Sequence, residues 1–249
     1  LELGHSVIVI DNESTDCHES FYWNEDAENY KYDICDYDKI EPLFDGVDCV
    51  FHLAAEARIQ PAIHNPTLTA KTNVYGTCNV LQASKENGVK RFVYSSTSAS
   101  YGTKNEPPAV EDMHTDCLNA YSKGQYAPVI GLFFRQYDEG ESMTVVGDGL
   151  QRRDFTYVGD VVEANIKAAT TENDKVFGEI INIGTGKNYN ILELVDMVGG
   201  KNAEYIHIPE RLGEVRYSLA NIEKAELLLG WKPTVSLEDW IASCNIQKV

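Results

Sequence analysis

The chain has 249 residues, 43% of them hydrophobic, and a formal net charge of −18. That length suits one large globular domain or two small ones, and so acidic a field repels nucleic acid and anionic membrane, so neither is expected as a partner. No apolar run reaches the roughly 18 residues of a membrane span. The opening Leu1-Glu2-Leu3-Gly4-His5 has no basic start and apolar core of a secretory leader, so a cytoplasmic protein is expected.

Ser6 to Ile10 is a short β-branched run ending in Asp11-Asn12, which predicts a buried parallel strand. Tyr30-Lys31-Tyr32 precedes Asp33-Ile34, where the next strand should end. Asp48 to Leu53 predicts another strand, running into Ala54-Ala55, and Arg91 to Ser96 a fourth. Between the last two, Pro66 to Asn87 is helical in pattern and stops at Gly88. Alternating strands and helices imply a doubly wound, parallel α/β sheet. The character changes near residue 123. Beyond it, 160–169, 191–198 and 222–229 are helical in pattern, 179–184 reads as a strand, and Gly199-Gly200 reads as an early helix stop, the site of a small cut. The expected organisation is therefore a cofactor half, residues 1–122, and a smaller mixed α/β substrate half, residues 123–249. Six scattered cysteines form no CxxC pair, so reduced thiols are expected and no metal site.

In a doubly wound dinucleotide site an acid at the end of the second strand holds the adenosine ribose hydroxyls. Asp11 is placed for that role, Asp33 and Ile34 for the adenine side. Small residues after the next strand, Ala54 and Ala55, let backbone approach a dinucleotide.

The ordered segments VIVIDN, DCVFHLAAEA, TNVYGTCNVLQAS, RFVYSSTSASYG, VVGDGLQRRDFTYVGDVVEA, INIGTG and ERLGEVRYSLANIEKAELLLGWKP span nearly the whole chain. Together they resemble the successive motifs of the sugar-nucleotide epimerases in the extended short-chain dehydrogenase/reductase family. The resemblance implies a Rossmann-type fold, bound NAD and a nucleotide-diphosphate sugar as substrate. It places Asp11 and Asn12 at the adenosine ribose, Asp33 and Ile34 at the adenine, and Leu53, Ala54 and Ala55 along the pyrophosphate. Asn73 would buttress the neighbouring loops, with Ser95 and Ser96 near the nicotinamide. A homodimer built partly on the 66–87 helix is also implied.

The glycine-rich turn that carries the pyrophosphate normally lies about 20 residues before the ribose-binding acid. Only ten residues precede Asp11. Gly4 reads as the end of the first helix, so the first strand and glycine turn are expected upstream of residue 1.

Catalysis in the family uses a Tyr with a Lys four residues later, on one helix face, and a Ser or Thr at the preceding strand end. By resemblance Thr97 and Tyr121 take the Thr and Tyr roles: the Tyr phenolate draws the sugar 4-hydroxyl proton while hydride leaves C4. The position four beyond Tyr121 is Gln125; Lys123 is two beyond and faces elsewhere. A free Tyr titrates near ~10 and is about 0.1% phenolate at pH 7, so the missing cation removes most of the base. LNAYS passes directly into KGQYAPVIGLFF, which implies that about 40 residues of a βαβ unit are absent between them.

A diphosphate calls for Arg. Arg153 and Arg211 match the family's clamping positions, Glu214 would hold the uridine ribose, and Thr144 and Val146 would border the base. Related dehydratases carry an acid pair just after the catalytic Thr, and decarboxylases a Glu two residues after it. Here those positions are Ser98 and Ala99. The expected activity is 4-epimerisation of a UDP-sugar of the UDP-glucose/UDP-galactose type, against a sister dehydratase or decarboxylase, or a non-catalytic remnant that binds a sugar nucleotide.

Overall fold

The computed structural model describes residues 1–14, 22–56, 65–101, 106–113, 129–210 and 216–246. Its described residues form two compact units that part between Ser96 and Thr97.

In the first unit, β1 (Ile8–Asp11) pairs in parallel with β2 (Glu28–Lys31), and β3 (Cys49–His52) pairs in parallel with β4 (Arg91–Tyr94). No ladder joins the two pairs among the described residues. Helix α1 (Tyr37–Ile40) runs into a 3-10 turn, and its Ile40 and that turn's Phe44 are sunk into a core with Ile34, Val80 and Ala83. Ile10, Val50 and Phe92 pack against the same cluster, so both strand pairs share one core. The predicted 66–87 helix begins as α2 (Pro66–Ala70), with the Asn65 side chain accepting from the Leu68 N–H and Pro66 in the first turn. It passes through a π-helical turn, Lys71–Gly76, into α3 (Thr77–Glu86). Gly76 is needed at the end of that turn: a Cβ there would stand 2.6 Å from Ile34 Cδ1.

The second unit is helical with two small sheets. Helix α4 (Val129–Asp138) precedes β5 (Met143–Val146), which pairs in parallel with β8 (Tyr205–Ile208). The short β6 (Arg152–Arg153) pairs antiparallel with β7 (Tyr189–Asn190). Helix α5 (Val158–Thr170), α6 (Ile191–Gly199), α7 (Glu223–Leu229) and α8 (Leu237–Ile246) complete it. Phe133, Met143, Val145, Leu194, Val195 and Ile241 form the main core. A second cluster gathers Ala164, Ala225, Leu229 and Trp231. Trp231 donates its indole N–H to the Asp160 carbonyl (2.9 Å), and the Asp160 carboxylate takes the Thr234 hydroxyl and the N–H groups of Thr234 and Val235. This buried aspartate is satisfied by three donors, as a buried carboxylate must be.

Two expectations change. The expected boundary near residue 123 lies outside the described residues, but residues 97–101 and 106–113, assigned to the first half, pack with the second unit. There Tyr101 donates to Asn182 (2.7 Å), the Glu111 carboxylate accepts the Asn182 N–H (2.7 Å), and Ala109 bridges to Ala220. The strand expected over 179–184 is not formed, because Asn182 spends its backbone N–H on Glu111 and its side chain on Tyr101 and the Ala109 carbonyl instead of a ladder. The early helix stop expected at Gly199-Gly200 is present, and it closes in a turn: the Gly200 N–H returns to Asp196 (2.9 Å) and the Ala203 N–H to Gly200 (3.0 Å).

Candidate functional site

The strands of each first-unit pair run the same way, so their carboxyl ends lie on one edge, where ligands bind in doubly wound sheets. The residues expected on the cofactor side sit at or beside these ends. Asp11 closes β1, and its carboxylate accepts the Glu13 N–H at 2.6 Å; Asn12 accepts from the Ser14 N–H at 3.0 Å. Asp33 follows β2. Burial pushes its carboxyl up, but hydrogen bonds from Cys35 and from the Asn12 side chain outweigh this and hold it below the usual carboxylate range. Ile34 is turned inward, its side chain in the core and its carbonyl taken by Asn79 (3.0 Å), which leaves its backbone N–H as its only polar offering. The same burial pushes the adjacent Cys35 thiol up to about 11, so it is inert at neutral pH.

Leu53, Ala54 and Ala55 leave β3 exposed, with Leu53 at 65%. The segment is fixed one residue later. Asn73, in the π-helical turn, accepts the Glu56 N–H (2.7 Å) and donates to the Glu56 carbonyl (3.2 Å). A π turn shifts a side chain out of the helical register, and such turns recur at functional sites; here it aims Asn73 back at the strand end. Ser95 and Ser96 leave β4 exposed, and the Ser95 N–H bonds the His52 carbonyl at 3.0 Å.

In the second unit, Thr97 is exposed, and its carbonyl takes the Ser100 N–H and hydroxyl at the start of a 3-10 turn, Ser98–Tyr101. Tyr121, Gln125, Arg211 and Glu214 lie outside the described residues. Thr144 and Val146 stand on β5, half-buried. Thr144 is held by Gln136 of α4, which accepts its N–H at 3.1 Å. Arg152 and Arg153 share β6, and their side chains separate. Arg152 bonds the Asn188 side chain and carbonyl, both at 2.8 Å, and pairs with Glu193 (3.3 Å). Arg153 donates to the Arg152 carbonyl (2.9 Å).

Several residues that hold these positions were not singled out from sequence. His52 is buried beneath the exposed strand end, hydrogen-bonded to the Thr77 hydroxyl (2.8 Å) and stacked on Tyr94. A histidine inside an apolar strand run was the available signal. Asp154 accepts from the Thr185 N–H (2.8 Å) and hydroxyl (2.6 Å), and from the N–H groups of Gly186 and Ala220 (3.2 Å each). It fastens the INIGTG turn beside Arg153. Gly184 makes room for it, since a Cβ there would meet Asp154 Oδ2 at 2.9 Å and Ala220 Cβ at 2.6 Å. Only the distant spacing of these residues linked them, which a single sequence does not reveal.

For the nicotinamide dinucleotide, the residues present fit the adenosine end: a carboxylate closes β1, Asp33 follows β2, and small exposed residues follow β3. Among the described residues no glycine-rich turn precedes Asp11. Gly4 closes a simple turn on Leu1, N–H to carbonyl at 2.8 Å.

The class of protein follows from this fold and site. The chain belongs to the NAD dependent epimerase/dehydratase family, whose profile matches residues 1–127 and 117–184. By family it is an NAD-dependent enzyme of the epimerase type. The UDP-glucuronate 4-epimerase of Thermodesulfobacterium geofontis is 30% identical over 288 residues, which takes in 96% of this chain and 87% of the relative. The crystal structure of a UDP-glucose 4-epimerase from Thermotoga maritima with UDP-glucose superposes with a TM-score of 0.86 at 31% identity, covering 96% of this chain and 89% of that one. UDP-glucuronic acid decarboxylase 1 of Danio rerio is 30% identical over 279 residues, 95% of this chain and 65% of that protein. An alignment of 288 residues that draws on about 239 from this chain, 96% of 249, leaves about fifty positions without a counterpart here. The two family-matched segments meet at residues 117–127, around Tyr121 and Gln125.

Proposed function

We propose that this protein belongs to NAD-dependent 4-epimerisation of a UDP-sugar, of the UDP-glucose/UDP-galactose type. The observation that carries this reading is the strand-end series Asp11, Ala54-Ala55, Ser95-Ser96 and Thr97, followed by Ser98 and Ala99 where a sister dehydratase or decarboxylase needs acids. Epimerisation needs no such acid, because the hydride that leaves C4 returns to it.

The cofactor supplies a reversible hydride acceptor. Asp11 would bind the adenosine ribose hydroxyls and the Ile34 N–H the adenine edge. Ala54, Ala55 and Leu53 would cover the pyrophosphate on a backbone set by the Asn73 clasp, with Ser95 and Ser96 beside the nicotinamide. Thr97 would hold the sugar 4-hydroxyl and Tyr121 remove its proton. Arg153 and Arg211 would clamp the diphosphate, Thr144 and Val146 border the uracil, and Glu214 hold the uridine ribose. Arg153 is the position that the family resemblance marks for this clamp. The reading extends to a homodimer. Val74, Cys78 and Leu81 form an exposed strip along the 66–86 helix, with Val74 at 63% and Leu81 at 46%, and light scattering would return a clean monomer if that strip is unpaired.

A second reading rests on Gln125. With no lysine one turn beyond Tyr121, the phenol lacks the positive charge that would generate its phenolate at neutral pH. The protein would then bind a UDP-sugar without turning it over. Incubation with UDP-galactose and NAD separates the two: formation of UDP-glucose supports the epimerase, and a folded protein that binds UDP but makes none supports the binder. Release of carbon dioxide from UDP-glucuronate would instead favour the decarboxylase.

A further inference from the structure

Arg216 is an exposed residue with two anchors. Its carbonyl accepts the Arg152 N–H at 2.9 Å, so its backbone lies beside β6. Tyr217 bridges to Arg152, and the Ser218 N–H returns to the Arg152 carbonyl at 3.0 Å. Its guanidinium grips Asp148 with both forks, Nη1 to Oδ1 at 2.7 Å and Nη2 to Oδ2 at 2.6 Å. Asp148 also accepts the Leu150 N–H at 2.9 Å. Asp148 stands in the turn that leaves β5, whose Thr144 and Val146 carry the proposed base-side contacts, and leads into β6, which carries Arg153. The rest of that turn is braced as well. The Gly147 N–H bonds Ile208 (2.8 Å), His207 bonds the Gly147 carbonyl (2.7 Å), and the buried Gln151 donates to the Val146 carbonyl (3.0 Å). Glu210 lies against Gly147, where an added Cβ would stand 2.8 Å from its Cγ.

We propose that the Asp148–Arg216 pair is a positioning device for the nucleotide diphosphate, fixing the distance between the β5 contacts and Arg153; this rests on the UDP-sugar reading above. Arg is suited to the role because its planar fork matches both carboxylate oxygens, which a lysine does not. One fork thus joins the turn that leaves β5 to the segment beside β6. The pair is exposed, 58% and 45%, and adds little to fold stability. Its service is therefore to geometry, and its loss should be felt in ligand affinity before it is felt in melting.

The test uses the full chain and UDP as the calorimetric probe, with a thermal melt of each protein. Asp148→Asn and Arg216→Lys should each weaken UDP binding by about threefold to fivefold, the scale of an exposed pair, with the melting midpoint unchanged. The charge-swapped double variant, Asp148→Arg with Arg216→Asp, should recover part of the loss, and high salt should erase the difference between parent and variants. If Asp148→Asn binds UDP as tightly as the parent or more tightly, the proposal is overturned, and in the tighter case Arg216 is itself an anion ligand freed by the change. Equal falls in melting and affinity would overturn it in favour of a structural brace. A parent chain that binds no UDP overturns the functional reading first, and the positioning role with it.

Discussion

The two units support their candidate residues in different ways. In the second, β5 is sunk, with Met143 and Val145 at 1% and 0% exposure, and the residues between and beside them are braced by side chains from elsewhere in the unit. Gln136 holds Thr144, Gln151 holds Val146, Asp154 fastens the turn beside Arg153, and Arg216 spans the loop between them. In the first unit, Ile8 of β1 and Phe51 of β3 are 38% and 43% exposed, although parallel strands are ordinarily covered on both faces. β3 is covered on the side that turns Val50 and His52 towards α3 and the shared core. Its strand-end residues stand exposed on a scaffold whose main brace is Asn73. The difference teaches that the proposed substrate-side residues are braced within their own unit, whereas the proposed cofactor-side residues stand on strands with one exposed face.

The sharpest way to break that comparison is to truncate one apolar side chain in each unit. Leu194, fully buried in α6, should cost about 2–5 kcal/mol when changed to Ala, through lost burial and a cavity. Phe51→Ala should cost less, about 1–2 kcal/mol, because that residue is 43% exposed and has less burial to lose. Urea unfolding of the two variants measures both. Equal costs would mean that the open face of β3 is covered after all.

A smaller effect sharpens the cofactor side. Asn73→Ala removes both hydrogen bonds to Glu56 and leaves that backbone to find its own conformation. A loss of about 1–2 kcal/mol corresponds to roughly tenfold weaker NAD binding, read by fluorescence titration. Asn73→Asp keeps the acceptor for the Glu56 N–H but not the donor, and should fall between. Unaltered affinity in both variants would remove Asn73 from the cofactor machinery.

What sequence made legible follows the range of the forces involved. The four first-unit strands, the helix from Pro66 and the Gly230 stop of α7 are local, set by apolar runs and capping chemistry, and they appear within a residue or two of expectation. The strand expected over 179–184 failed because a strand is made by its partner, and a side chain took the N–H first. The placement of 97–101 and 106–113 with the second unit depended on Tyr101, Glu111 and Asn182 meeting across some seventy to eighty residues. At the candidate site, the strand-end residues were legible because the carboxyl edge of a parallel sheet is where they must fall. The braces were not: Asp154 to Gly186 and Asp148 to Arg216 are tertiary contacts with no local pattern, although a carboxylate beside a glycine turn and an arginine in a charged loop were each visible alone.

The smallest effect is a difference in how the units meet acid. Burial lowers the pKa of His52 below its usual 6.5, so the folded state holds the neutral ring against the Thr77 hydroxyl. Above that value neither state is protonated and the full stability is present. As pH falls through about 6.5 the unfolded chain takes up a proton first, and the first unit loses stability until the folded pKa is reached. Asp148 has the opposite origin and a lower window. Arg216 first, and then the Leu150 N–H, hold its carboxyl down to about 2 from 3.8, so its contribution is intact above about pH 4 and fades as pH falls towards 2. On acidification the first unit should therefore loosen before the second. Amide exchange followed from about pH 7 to about pH 5 should show weakening protection in β3 and α3 but not in β5 and α6. His52→Gln, which keeps a donor for Thr77 but cannot titrate, should flatten that slope. A slope that survives the substitution would assign the acid response to another group and end the claim that His52 sets it.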